Sequence, residues 1–124
     1  MLMNKLYSLV SSCWKDEEGL IHAGILLNRE HPVFDGHFPG NPILPGVCTV
    51  QIAKEILEQA IQKTLMLSKA SGIKYLGFVN PASTPEMQFE LSFKHAESGA
   101  LICSVTVNAG GNSICSFKGE YVQI

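Results

Sequence analysis

Charge is scarce in this chain: Asp, Glu, Lys and Arg make up 16% of 124 residues, and the net charge is −2. The nine Lys and Arg residues are scattered, with no basic run and no aromatic–basic interleaving, which argues against nucleic acid as a partner. No apolar stretch reaches the roughly 18–20 residues of a membrane span. The leading segment "MLMNKLYSLVSSCWKDEEG" has neither a clean apolar h-region nor a small-residue cleavage site, so a cytoplasmic protein is expected. Repeats, linkers and low-complexity tracts are also missing. The four cysteines, Cys13, Cys48, Cys103 and Cys115, show no C-x-x-C spacing, which favours core thiols over metal or disulfide roles. His22, His31 and His95 lack a second ligand at metal-like spacing, so ordinary structural roles are expected.

What is present is apolar. Hydrophobic residues are 46% of the chain, enough for one globular domain spanning 1–124. So little charge implies that part of the apolar surface is covered by another subunit, in a homodimer or higher oligomer. "KLYSLVSSCWK" and "LIHAGILLN" flank the polar "DEEG" and read as a β-hairpin. "GVCTVQIAKEILEQAIQKTLML" then runs from Gly46 without a breaker. At 100° per residue Val50, Ala53, Ile56, Leu57, Ala60 and Ile61 share one arc, opposite Gln51, Lys54, Glu55, Glu58 and Gln62. That is a long amphipathic helix, introduced by Pro45 at a position where a missing amide is tolerated. Four further β-rich segments follow, "IKYLGFV", "MQFELSFKH", "ALICSVTVNA" and "SICSFKGEYV", and read as a meander. Ser98-Gly99 and Gly110-Gly111 supply tight turns within it. The expected fold class is α+β, with one helix packed on a curved antiparallel sheet of about six strands.

Between hairpin and helix lies "HPVFDGHFPGNPILPGV". Gly36, Gly40 and Gly46 allow tight turns and close approach of a ligand, while Pro39, Pro42 and Pro45 restrict the loop, so His37 would be held in one place as a base must be. The amides of Gly46, Val47 and their neighbours, unpaired at a helix start, suit a developing oxyanion such as that of a thioester losing its α-proton. A rigid strand-to-helix connection with a surface histidine would use the same residues.

The eleven residues "GHFPGNPILPG" resemble the signature loop of the 3-hydroxyacyl-(acyl carrier protein) dehydratases of fatty acid biosynthesis, and the order of elements is similar over nearly the whole chain. The resemblance implies a hot-dog fold, in which a long helix is wrapped by an antiparallel sheet. It also implies pairing of two subunits into a continuous sheet, with active-site tunnels at their interface. It makes His37 the catalytic histidine of a lyase, acting on the α-proton of a 3-hydroxyacyl thioester, with the Gly46 and Val47 amides on the thioester carbonyl. Substrate would arrive on acyl carrier protein or coenzyme A. No metal or organic cofactor is implied.

Fourteen residues after its histidine the family carries a Glu or Asp, contributed by the partner subunit, that assists departure of the β-hydroxyl; here the position is Gln51. An amide has no usable acid form but can hydrogen-bond a hydroxyl or water. Three readings stand: His37 makes both proton transfers with Gln51 orienting the hydroxyl or a water; Glu55, one turn on, substitutes; or a different hot-dog subunit supplies the carboxylate. Glu55 beside Lys54 and Glu58 otherwise reads as part of a solvated helix face, and Gln51 could be a plain surface residue of it. In "FVNPASTPE" Pro81 keeps the family's proline, Glu86 stands near the family's aspartate, and the preceding basic residues are missing, which weakens docking of an acidic carrier. A hot-dog thioesterase, with Asp35, Gln51 or Glu55 positioning water, and a non-catalytic acyl-binding subunit are the competing functions.

Overall fold

Alternation of buried and exposed residues builds three strands of the sheet. In β4 (Glu86–His95), Met87, Phe89 and Leu91 are buried while Glu86, Gln88 and Glu90 face water, as period-two side-chain geometry requires. β2 (Leu20–Leu27) repeats this with Ile21, Ala23, Ile25 and Leu27 inside, and β5 (Leu101–Ala109) with Leu101, Cys103, Val105, Val107 and Ala109. The structure is a computed structural model that describes residues 2–15, 19–35 and 42–124. His37 and the loop residues around it lie outside the described residues.

β1 (Tyr7–Lys15) pairs antiparallel with β2, as the hairpin reading expects. β6 (Asn112–Gln123) follows β5 through Gly110 and Gly111, both at positive φ, the conformation a two-residue hairpin turn of type I′ needs. β3 (Leu65–Tyr75) pairs with β6 rather than β4, so the six strands run β1-β2-β4-β5-β6-β3. A four-strand meander was the expectation; only β4, β5 and β6 form one, and β3 closes the far edge of the sheet.

The helix α1 (Gly46–Ile61) packs against one face of the sheet, and its Ile52, Ala53, Ile56, Leu57 and Ala60 enter the core. This is the hot-dog arrangement. Val50 and Ile61, expected on the buried arc, are only partly covered, and Ile52 and Thr49 are buried instead. The helix also ends earlier than its unbroken sequence suggests. Gln62 adopts a left-handed conformation and its amide closes on Glu58 O at 2.9 Å. The Glu58 carboxylate then accepts the Leu65 amide at 2.8 Å, and "LML" becomes the start of β3. Burying Leu65 and pairing its strand with β6 outweighs helix propensity there, and the left-handed Gln62 performs the reversal that glycine usually provides.

The histidines and cysteines have local roles. His31 Nδ1 accepts the Val33 amide at 3.0 Å and caps the 3-10 turn Pro32–Phe34, while His22 sits 3.6 Å from Glu90 on the outer face. All four cysteines are free; Cys103 and Cys115 are core thiols and Cys48 is half-buried. Cys13 departs from the expectation, being exposed on the edge strand β1.

Candidate functional site

Pro45 precedes α1 in an extended conformation and makes no side-chain cap, so the first amides of the helix depend on other partners. The Cys48 amide turns back to Pro45 O at 3.0 Å. Among the described residues no backbone acceptor meets the amides of Gly46 and Val47. Upstream, Leu44 is tied to Val79 O at 2.9 Å, which anchors the segment entering the helix against the chain after β3.

An apolar pocket of about 300 Å³ opens at this helix start, lined by Ile43, Leu44, Gly46, Tyr75, Phe78 and Ile114 among others. A Cβ at Gly46 would lie 2.6 Å from the Tyr75 ring, so a side chain there would push that ring aside. Three of the neighbouring apolar side chains project into water, Val47 at 74%, Phe78 at 82% and Tyr75 at 52% exposure. Exposed apolar groups gathered around a pocket mark a surface for a ligand or a second subunit.

Gln51 lies one turn further along α1 and faces a different depression, an open groove of about 640 Å³ that it shares with Lys54, Glu55 and Glu58. Within one chain, then, Gly46 and Gln51 do not line the same pocket. The expected solvated face around Glu55 is not found. Glu55 is 1% exposed, and its carboxylate accepts the Leu2 amide at 2.9 and 3.0 Å and the Met3 amide at 2.9 Å. It also accepts the Tyr7 hydroxyl at 3.0 Å and Gln51 Nε2 at 2.9 Å. The turn from Leu2 to Leu6, with Asn4 at positive φ, aims those two amides at the helix; Asn tolerates that conformation better than most residues. Burial, then the charge of Glu55 and their hydrogen bond, hold the Tyr7 phenol protonated far above the usual range. Among the described residues every hydrogen bond to Glu55 comes from a donor, so its carboxylate acts there as an acceptor hub. Lys54 and Glu58 form an ion pair at 3.8 Å, bonded also to the backbone of Leu65.

Asp35 is exposed at the end of the 3-10 turn. Pro81 is buried in the turn before β4, and Glu86 is exposed at the strand's first position. Among the described residues no three His, Cys, Asp or Glu side chains gather as a metal site, and no helix is long and apolar enough to cross a membrane.

The six-stranded antiparallel sheet with its one packed helix is the fold of the hot-dog proteins. The chain belongs to the ApeI-like dehydratase family, whose model matches residues 13–117. It is similar to the 3-hydroxyacyl-[acyl-carrier-protein] dehydratase FabZ of Pediococcus pentosaceus, 31% identical over 105 residues, covering 79% of this chain and 68% of the relative. With FabZ of Oenococcus oeni it shares 28% identity over 123 residues, 94% of this chain and 83% of the relative. Among solved structures, the dehydratase heterocomplex ApeI:P from Xenorhabdus doucetiae superposes with a TM-score of 0.70 at 15% identity, covering 91% of this chain and 95% of that one. The E. coli PaaI protein of the phenylacetic acid degradation operon superposes at 0.62 with 14% identity, over 95% of this chain and 79% of that one.

Proposed function

We propose that this chain dehydrates 3-hydroxyacyl thioesters carried on a pantetheine arm, giving the trans-2-enoyl thioester. The observation that carries this reading is the start of α1. Gly46 lines an apolar pocket there, with Val47 exposed beside it, and the segment that delivers the helix carries His37 nine residues before Gly46. In the reaction His37 removes the proton on the carbon next to the thioester carbonyl. Negative charge builds on the carbonyl oxygen, where the Gly46 and Val47 amides and the helix dipole stabilise it. The C3–O bond then breaks, and the departing hydroxide takes a proton to leave as water. With Gln51 in place of an acid, the proton returned to that oxygen is the one His37 collected. A missing positioned acid lowers such rates by about 10²- to 10⁴-fold, so turnover by a homodimer would be slow.

Two observations support an oligomeric site. Gln51 and Gly46 face different depressions of one chain, and exposed Val47, Tyr75 and Phe78 need cover. A heteromer with a second hot-dog subunit that brings a carboxylate is the second reading, favoured by Gln51 itself and by the heteromeric assembly of the structural relative. A thioesterase would free the thiol where a dehydratase keeps the thioester.

The test is incubation of the purified chain with 3-hydroxyacyl and trans-2-enoyl thioesters on acyl carrier protein, followed by mass spectrometry beside His37→Ala. Interconversion lost in the variant is the expected result. Intact thioester throughout, with a folded oligomer, would move the function to the heteromer; free thiol would make it hydrolysis.

A further inference from the structure

Resting on the dehydratase reading, we infer that Glu55 is a positioning residue: it fixes the Gln51 amide with its nitrogen inward, leaving the carbonyl oxygen as the group offered to the substrate's β-hydroxyl. A primary amide can present either end to a neighbour, and its two ends differ in kind, two donors against an acceptor. Glu55 removes that choice. Its oxygens only accept, so the reverse orientation would set Gln51 Oε1 against a carboxylate oxygen at 2.9 Å in place of the Nε2 donor found there. Among the described residues Gln51 Oε1 has no hydrogen-bond partner, and the side chain lies half-buried on an open groove.

The orienting carboxylate is itself held. The Leu2 and Met3 amides and the Tyr7 hydroxyl reach Glu55 from elements more than forty residues away in sequence, so Glu55 cannot swing out to meet substrate without breaking several bonds at once. The polarity of position 51 is thus preorganised. Gln51 accepts a hydrogen bond from the β-hydroxyl and orients the C3–O bond; it gives no proton to the leaving oxygen. That leaves His37, or a group from another subunit, as the source of the proton.

Two measurements on the full chain decide this. The first is the 15N–1H spectrum of the glutamine side-chain amides, with Gln51→Met used to assign the Gln51 pair. A Gln51 proton displaced downfield and slowed in exchange, with the displacement reduced in Glu55→Gln, is expected. The second compares binding of a non-hydrolysable amide analogue of a medium-chain 3-hydroxyacyl-pantetheine with its 3-deoxy counterpart. One accepted hydrogen bond predicts an about 3- to 10-fold preference for the hydroxylated compound, falling toward one in Gln51→Met and in Glu55→Gln. A merely structural Glu55 would lower both affinities together and leave their ratio unchanged. Ordinary shifts and exchange for the Gln51 protons in the unmodified chain would overturn the inference, even if Glu55→Gln fails to fold. So would a hydroxyl preference unchanged in folded Glu55→Gln. If neither analogue binds, the dehydratase reading falls, and the amide resonance still decides whether Glu55 fixes Gln51.

Discussion

Replacing Tyr7 by Phe isolates one bond of the Glu55 cluster. The side chain is 1% exposed and its hydroxyl donates to Glu55 Oε1 at 3.0 Å. A hydrogen bond to a charged group contributes about 1.5–3 kcal/mol net. Glu55 keeps the Leu2, Met3 and Gln51 donors in the variant, so the lower end applies, about 1.5 kcal/mol. For 124 residues the unfolding entropy near the midpoint is about 0.26 kcal/mol/K, and Tm should fall by about 6 °C. The assay is thermal unfolding by circular dichroism at one fixed protein concentration, because oligomerisation makes Tm concentration-dependent. Tyr75→Phe is the control, since that ring is half-exposed and among the described residues its hydroxyl makes no hydrogen bond. A Tyr7→Phe shift no larger than that of Tyr75→Phe would refute the claim that the hydroxyl helps hold Glu55 in place.

Burial holds the Tyr7 and Tyr121 phenols above their ordinary value of 10 and pushes the Cys103 thiol from 9 up to about 12. Above those ordinary values the unfolded chain loses protons that the folded one keeps. Stability is therefore full below about pH 9 and falls by about 1.4 kcal/mol per pH unit for each such group beyond it. Urea titrations from pH 8 to 11 should show a decline beginning near 9 and steepening past 10, with a shallower first part in Cys103→Ala; a flat profile would contradict the burial. Gly46→Ala puts a methyl group 2.6 Å from the Tyr75 ring. It should displace that half-exposed ring into the 300 Å³ pocket, weakening acyl-pantetheine binding several-fold with Tm little changed, which calorimetric titration beside a melting curve will show. Gln51→Glu creates two carboxyls about 3 Å apart, which must share a proton. It should gain little dehydratase activity until combined with Glu55→Gln, which restores an amide–carboxylate pair with the carboxylate at position 51. Rates of the two single variants and the double variant form the cycle that checks it.

Much of the fold was legible because its signals are local. Met87, Phe89 and Leu91 alternate with charged or polar neighbours, and Gly110-Gly111 supplies the positive φ that a hairpin demands. The end of α1 was not legible, because Gln62 is no usual terminator and the competing energy lies in Leu65 burial and the pairing of β3 with β6, a strand some fifty residues on. The position of β3 at the sheet edge is likewise a long-range outcome that no turn residue announces. At the candidate site, the helix start at Gly46 could be read from the sequence, and the resemblance singled out position 51, but Glu55 as the companion of Gln51 could not be read.

Glu55 shows why. On a helical wheel with Ile52 at 0°, Glu55 falls at about −60° and Gln59 at about −20°, so a rule based on helix face alone would bury Gln59 first. The structure does the opposite: Gln59 is exposed and Glu55 is sealed. The cover over Glu55 is the segment from Leu2 to Tyr7, which arrives from the other end of the chain carrying donors and not merely apolar bulk. A carboxylate can be buried at that spot because four separate groups give it hydrogen bonds there. One of those four is Gln51, so the same cluster that anchors the leading segment to α1 also sets which end of the position-51 amide is free. Stability and site polarity are thereby tied to one side chain. A substitution at Glu55 will disturb both, and only a measurement that separates ligand preference from overall affinity can tell the two effects apart.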